Sequence, residues 1–423
     1  MLRPHNAKMD RKKKKQGVDK SAAAVELDRK KIKDDFLYRT KKIIKLVCND
    51  MSPESISAGA FEMLYAARYF KLKIIAAPGS NITKPRIAQF NSLLQQFVEG
   101  EEVSLPNGNT IPISWCFCEG LTLIDWLGVT DTFVEPVLEE LKAHFAFFSR
   151  GGNFHRNLQE IMLDIITDCC TLLSDYNDHI YRADLSENTN FSELQRNNEI
   201  VVHAFKPKKE TIETKIGMRT AVRLGWPSAE FNWKFFNVKP SLLGFNTLSI
   251  DIPLELYIST HAFDRLQERI NITPGIMHQI LLLTFLEPQI SHRWNGNESH
   301  VDFRLSDEKV GYLVVKLHGS KLVIHTFLFL TNNGTFEGEK LGRLVNIVKE
   351  DKKYLEIDNL PAFNAYHIGE NEKLSQLFKD AGCGSLLKMG HLQEFTANQI
   401  ADKNADSILR YMADAPYFSK LGS

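Results

Sequence analysis

The chain has no apolar run long enough to cross a bilayer. A spanning helix needs about 18 or more apolar residues, and the stretches Ile280–Leu286 and Phe327–Leu330 fall far short. The start carries the basic run Arg11–Lys15 with no apolar stretch behind it, so no secretory signal is read there. Cysteine is sparse, six in 423 residues, and no two stand at zinc-finger spacing. Cys116 and Cys118 read as neighbours on one face of a strand, and Cys169-Cys170 as part of an apolar helix. No disulfide and no cysteine–metal site are expected. Together these absences predict a soluble, cytoplasmic protein with no membrane partner.

Net charge is also missing, with 52 Lys+Arg against 52 Asp+Glu. The balance hides a segregation, because residues 1–50 hold 16 Lys/Arg and 7 Asp/Glu. A basic arm on a mildly acidic body suggests an anionic partner for the arm; the alternative is a solubilising tail. Several catalytic signatures are absent as well. Gly79–Lys84 lacks the second glycine of a phosphate loop and is followed by Pro85 rather than Ser or Thr. There is no G-x-G-x-x-G, H-E-x-x-H or G-x-S-x-G. Glu213-x-Lys215 matches one corner of a metal-dependent nuclease but lacks a well-spaced upstream aspartate on a strand.

What is present is 43% hydrophobic residues, enough for a real core. The pattern predicts an α+β protein in five stretches: a flexible basic tail (1–20), a mainly helical region (21–198), a β-rich connection (199–253), a compact α+β domain (254–336) and a helical C-terminal region (337–423). Helical periodicity appears over 21–48, 53–70, 85–98, 133–148 and 155–182. A hairpin is read around Asn107-Gly108, and a boundary in the polar stretch Asp184–Asn198. Strands are expected at Ile200–Phe205, Phe231–Val238 and Leu254–Ser259. Helices follow at Thr260–Ile270 and Pro274–Leu286. Then come strands at Ser299–Leu305, Lys309–His318 and Lys321–Thr331, the last two joined by Gly319-Ser320.

Histidine is concentrated in that α+β stretch. His261, His278, His292, His300, His318 and His325 are six of the chain's 13, where even scattering would place about two. Histidine titrates near neutral pH, so the excess points to acid–base work or a metal. On the helix Thr260–Ile270, the residues Phe263, Leu266 and Ile270 form a core stripe. His261, Arg265 and Arg269 follow at i+4 steps on the other side, a ladder suited to a phosphodiester; the plain alternative is a solvated face in which Asp264 and Glu268 pair with the arginines. Strict alternation in Lys321–Thr331 puts Leu322, Ile324, Thr326, Leu328 and Leu330 on one face and Lys321, Val323, His325, Phe327 and Phe329 on the other. His325 and Thr326 are thus polar residues inside an apolar strand, and His325 taken alone fits a satisfied core histidine. Lys316 shares a face with His318, and His300 with Asp302 and Arg304.

The order is a short strand, a helix reading His261-Ala262-Phe263-Asp264-Arg265-Leu266-Gln267-Glu268-Arg269, a second helix and a three-stranded meander ending in His325-Thr326. Over about residues 254–332 this resembles the barnase–EndoU–colicin–RelE superfamily of small ribonuclease domains, within it the toxin-like families with an "HA..R..ER" helix. The resemblance implies an antiparallel sheet with helices on one face and RNA cleavage without metal or cofactor. It implies His261 as general acid or base, Arg265 as phosphate clamp, Arg269 in support, and His325 with Thr326 across the site. Arg304, Lys316 and His318 stand as substrate-binding candidates. The expected function is a toxin- or defence-like endoribonuclease acting on RNA, its helical N-terminal half meeting a protein partner or inhibitor. The alternatives are a non-catalytic nucleic-acid-binding or interaction protein on the same fold, and a metalloprotein built on the histidines.

Overall fold

A computed structural model describes residues 22–48, 51–129, 136–148, 153–184, 198–214, 217–246, 251–395 and 401–421. The basic tail and nearly all of the expected boundary at 184–198 lie outside these. The chain mixes helices and strands and divides into two compact units. The first comprises Met1–Lys73, Gln95–Ile161 and Glu187–Glu199. The second comprises Ile74–Leu94, Met162–Ser186 and Ile200–Ser423. Among the described residues no helix is long and apolar enough to cross a membrane.

The first unit is mainly helical. The helix Ala22–Val47 buries Phe36, Ile43, Ile44 and Val47, and Ser57 caps Ala58–Ala66 by accepting from the Ala60 amide. The strand expected at Cys116 is instead helical: Ile113–Trp115 runs into a π-turn over Cys116–Gly120. Cys116 is buried, while Cys118 is half-buried with its thiol on the Tyr69 carbonyl at 3.0 Å. Short β-rich text gave way here to tertiary packing. The helix expected over 53–70 is a single turn, Pro53–Ser55, followed by Ala58–Ala66. All six cysteines are free, and burial pushes the Cys116 and Cys118 thiols up to about 12.

The second unit is built on one large sheet. Its main path runs His292–Asn295, Glu298–Leu305, Glu308–His318, Lys321–Phe329, Leu254–Ser259, Gly217–Arg223 and Lys209–Thr214, and the short strand Asn237–Val238 joins Leu254–Ser259. The pairs are antiparallel except one: Leu254–Ser259 lies parallel to Lys321–Phe329, with Tyr257 opposite Val323. The two intervening helices carry the chain back, so the last meander strand arrives in the same direction as the first. The sheet is therefore mixed, and it is larger than the sequence suggested, because Lys209–Thr214 and Gly217–Arg223, assigned to a connection, are strands of it. The helix expected to continue to 182 stops at Leu173, and Ile180–Asp184 is a strand of a separate three-stranded sheet.

The helices Thr260–Ile270 and Pro274–Leu286 cover one face. Phe263, Leu266 and Ile270 go into the core as their spacing requires, and Asn271 ends the first helix in the left-handed region at φ 57°. Burying a side chain such as Phe327 on this face is worth roughly 2–3 kcal/mol. Gly311 makes room for it: a Cβ there would stand 2.6 Å from the Phe327 ring and 2.3 Å from the Leu328 carbonyl.

The opposite face curls into a small half-barrel. Its outermost strand, Lys209–Thr214, comes back against Glu308–His318 although three strands lie between them, and the Glu213 backbone lies where it favours a proton on His318. Inside the curl Ile212, Ala221, Tyr257 and Val323 form a second apolar cluster. One end of this concave face is closed by its own polar groups. Tyr257 Oη bonds Glu210 and Glu255 at 2.8 Å each, Lys321 pairs with Glu210, and Arg223 pairs with Glu255 at 3.0 Å.

Candidate active site

The other end of the concave face gathers the histidines. Its geometry depends on a fault in the strand Lys321–Phe329, where Val314 pairs with Thr326 but Val315 pairs with Ile324, so His325 is the extra residue of a β-bulge. Leu322, Ile324, Phe327 and Phe329 all join the helix-covered core. The two residues between Ile324 and Phe327 therefore both lie on the concave side. Strict alternation had put Phe327 with His325 and Thr326 with Ile324; the bulge reverses both assignments and presents His325 beside Thr326.

Ser259 ties this bulge to the helix. Its hydroxyl donates to the His325 carbonyl at 3.0 Å and accepts from the Ala262 amide at 3.0 Å. The same side chain starts the helix carrying His261 and anchors the strand carrying His325. On the concave face His325 Nε2 lies 2.5 Å from His318 Nε2. One imidazole donates and the other accepts, so this contact requires at least one neutral ring.

The surroundings disfavour the charged form of these rings. Burial, then the His318, Lys316 and Arg219 charges, push His325 down to about 4. His318 is lowered by burial and Lys316, against the opposing Glu213 backbone. His261 is lowered by burial, Arg219 and Arg265, with Asp264 and Glu268 opposing. The Arg219 charge thus disfavours the protonated form of both His261 and His325. Lys316 is held at 2.8 Å by Glu298, which also takes His300 at 3.0 Å.

Of the residues singled out from sequence, His318 and His325 touch, Thr326 lies beside His325 and the Lys316 charge acts on both rings, while the helix that begins near His261 is tied to them through Ser259. Arg265 stays on the same helix, half-exposed and paired with Glu268 at 2.5 Å. Arg269 does not join them. It is largely buried, ion-paired with Asp358 and donating to the Asp358 carbonyl at 2.8 Å. Arg304 sits toward the far end of its strand, held by Asp302 at 3.3 Å and the Asp307 carbonyl at 2.8 Å. His278 is buried, bonded to the Gly225 carbonyl at 2.9 Å and stacked on Tyr176 at 4.3 Å. His292 bonds the Ile290 carbonyl at 2.9 Å. Arg219 was missed because Gly217–Arg223 was not read as a strand; its signal was the alternation of Arg219 and Arg223 about Ala221.

Among the described residues no three or more His, Cys, Asp or Glu side chains are grouped to hold a metal ion. Compared with known proteins, the chain matches no family model, no curated protein and no solved structure.

Proposed function

We propose that the second unit is a metal-independent ribonuclease that cleaves RNA by attack of a ribose 2′-oxygen on the adjacent phosphorus. What supports this reading is that Ser259 ties the start of the His261 helix to the His325 bulge, where His318 and His325 touch, and that the Arg219 charge acts on both His261 and His325. A neutral imidazole is the form required of a general base, which takes the 2′-hydroxyl proton. Arg219, with Arg265 and Lys316 nearby, supplies donors for the charge that grows on the phosphoryl oxygens. An arriving phosphodiester raises the pKa of the imidazoles it approaches, so one of them gains the proton it then gives to the leaving 5′-oxygen. Thr326 and His318 line the same face, His318 orienting His325 through their shared hydrogen bond. Arg269 and Arg304 have no part in the chemistry. The basic tail and the helical first unit are assigned to RNA docking or to a protein partner.

Incubating the full chain with mixed RNA, with and without chelator, tests the reaction. The expected result is 2′,3′-cyclic phosphate ends in both arms. His261→Gln and His325→Gln are each expected to reduce the rate about 100-fold or more, with thermal stability changed little. Intact RNA overturns the reaction; full activity in both variants overturns the site.

A further inference from the structure

Toward the Arg223 end of the concave face the second unit carries a row of half-exposed rings that the proposed chemistry does not use; of these, Trp233 also packs against the edge of the core. Phe231 lies against His203 at 4.2 Å between centroids, His203 adjoins Phe205 at 6.4 Å, and Phe205 meets Trp233 edge-on at 6.3 Å. Trp233 stacks nearly parallel to Phe235 at 5.5 Å and 7°, and the Arg223 guanidinium covers Phe235 at 4.4 Å. All five rings keep part of their surface in solvent. Phe231 holds its place at a cost: its φ of 57° is left-handed, where an aromatic residue is disfavoured by about 1 kcal/mol or more.

Two features say what such a row receives. Between Lys206 and Lys239 the sequence has eight Lys/Arg and three Asp/Glu, a surplus suited to a polyanion. Half-exposed rings among cations are how proteins hold single-stranded nucleic acid, since every base has a π-face to stack while the phosphates meet the charges. Placement ties the row to the cluster. Arg223 at its end and Arg219 among the histidines lie four residues apart on one strand and one face, about 13 Å.

We propose that the row Phe231–His203–Phe205–Trp233–Phe235 is a base-stacking platform for single-stranded RNA, gripping the strand a few nucleotides from the phosphodiester at Arg219. This rests on the ribonuclease reading, and it adds that the substrate is unpaired and gripped by its bases with little regard to their identity.

The test is binding of the full chain to a short fluorescent oligouridine made uncleavable by 2′-O-methylation, beside an abasic strand of equal length and charge. The intact strand should bind more tightly than the abasic one. Trp233→Leu should weaken binding of the intact strand roughly 5- to 150-fold, the usual range for one stacking ring, and Trp233→Phe should restore most of it. Phe231→Asn removes a second ring while placing a residue that tolerates left-handed φ, so it should weaken binding without lowering the melting temperature. Equal binding of intact and abasic strands by the unaltered protein overturns the platform, as does unaltered affinity in both Trp233→Leu and Phe231→Asn. Ring-dependent binding with unmodified RNA left intact keeps the platform and removes the ribonuclease. Cleavage with ring-independent binding does the reverse.

Discussion

Arg219 connects structure to chemistry at the scale of single residues. Its positive charge disfavours protonation of both His261 and His325, and a general base is useful only while unprotonated. The acidic limb of kcat/KM against pH is therefore expected below 6.5, the ordinary histidine value. Replacing Arg219 by Gln removes one depressing charge from each ring and raises both pKa values, so the limb should move up toward 6.5 while the rate falls. A pH–rate profile separates the effects, since loss of phosphate binding alone lowers the curve without displacing it. A limb that stays in place would detach Arg219 from the titration of the base. Arg269 makes the contrast: of similar chemistry and one helical turn from Arg265, it is spent on Asp358, a largely buried pair of the kind whose one-sided removal is destabilising.

At the scale of elements, Ser259 determines whether helix and bulge keep their positions. Ser259→Ala removes the N-cap bond to Ala262 and the bond to the His325 carbonyl together. A lost cap costs about 1 kcal/mol, and the orphaned carbonyl adds to it. The variant should unfold about 1–2 kcal/mol more easily in urea and cleave RNA more slowly, by a larger factor than its small loss of folded protein explains. Thr in its place keeps the hydroxyl and should recover both. The elements involved were legible to different degrees. The two helices, the meander and the Gly319-Ser320 turn were readable because their apolar periods and punctuation agree with what the core demands. The same periodicity put His261 off the core stripe of its helix and Lys316 with His318 on one face of their strand. The bulge was not readable, since nothing in Val323-Ile324-His325-Thr326-Phe327 distinguishes one extra residue from regular alternation; pairing with Val314 and Val315 decides it. Arg269 went astray because helix periodicity fixes a direction from the axis, while a carboxylate 89 residues away decides the partner. The parallel pair and the curl that brings Glu213 to His318 are long-range facts that no local pattern carries.

For the whole molecule the buried histidines set a pH limit on folding. His278 is pushed down to about 4 by burial, against the Gly225 carbonyl that favours its proton, and His325 also stands at about 4. An unfolded histidine binds its proton near 6.5. Between these values the unfolded chain holds protons that the folded chain refuses, so stability falls as the pH is lowered through that window. The contribution of each histidine is complete above about 6.5 and is lost as the pH drops toward 4. For the fully buried His278 this amounts to roughly 3 kcal/mol at the bottom of the window; His325, half-exposed, contributes less. Melting temperature should accordingly decline from pH 6.5 to 4 with a slope steeper than carboxylate titration alone gives. His278→Gln keeps a donor for the Gly225 carbonyl and has no proton to gain, so it should flatten the decline while costing some stability at pH 7 through the lost stacking on Tyr176. His325→Gln should flatten it further, and independently, because the two rings lie in different parts of the unit. Unchanged slopes in both variants would assign the acid lability to the carboxylates, and the neutral imidazoles on which the proposed base depends would lose their support.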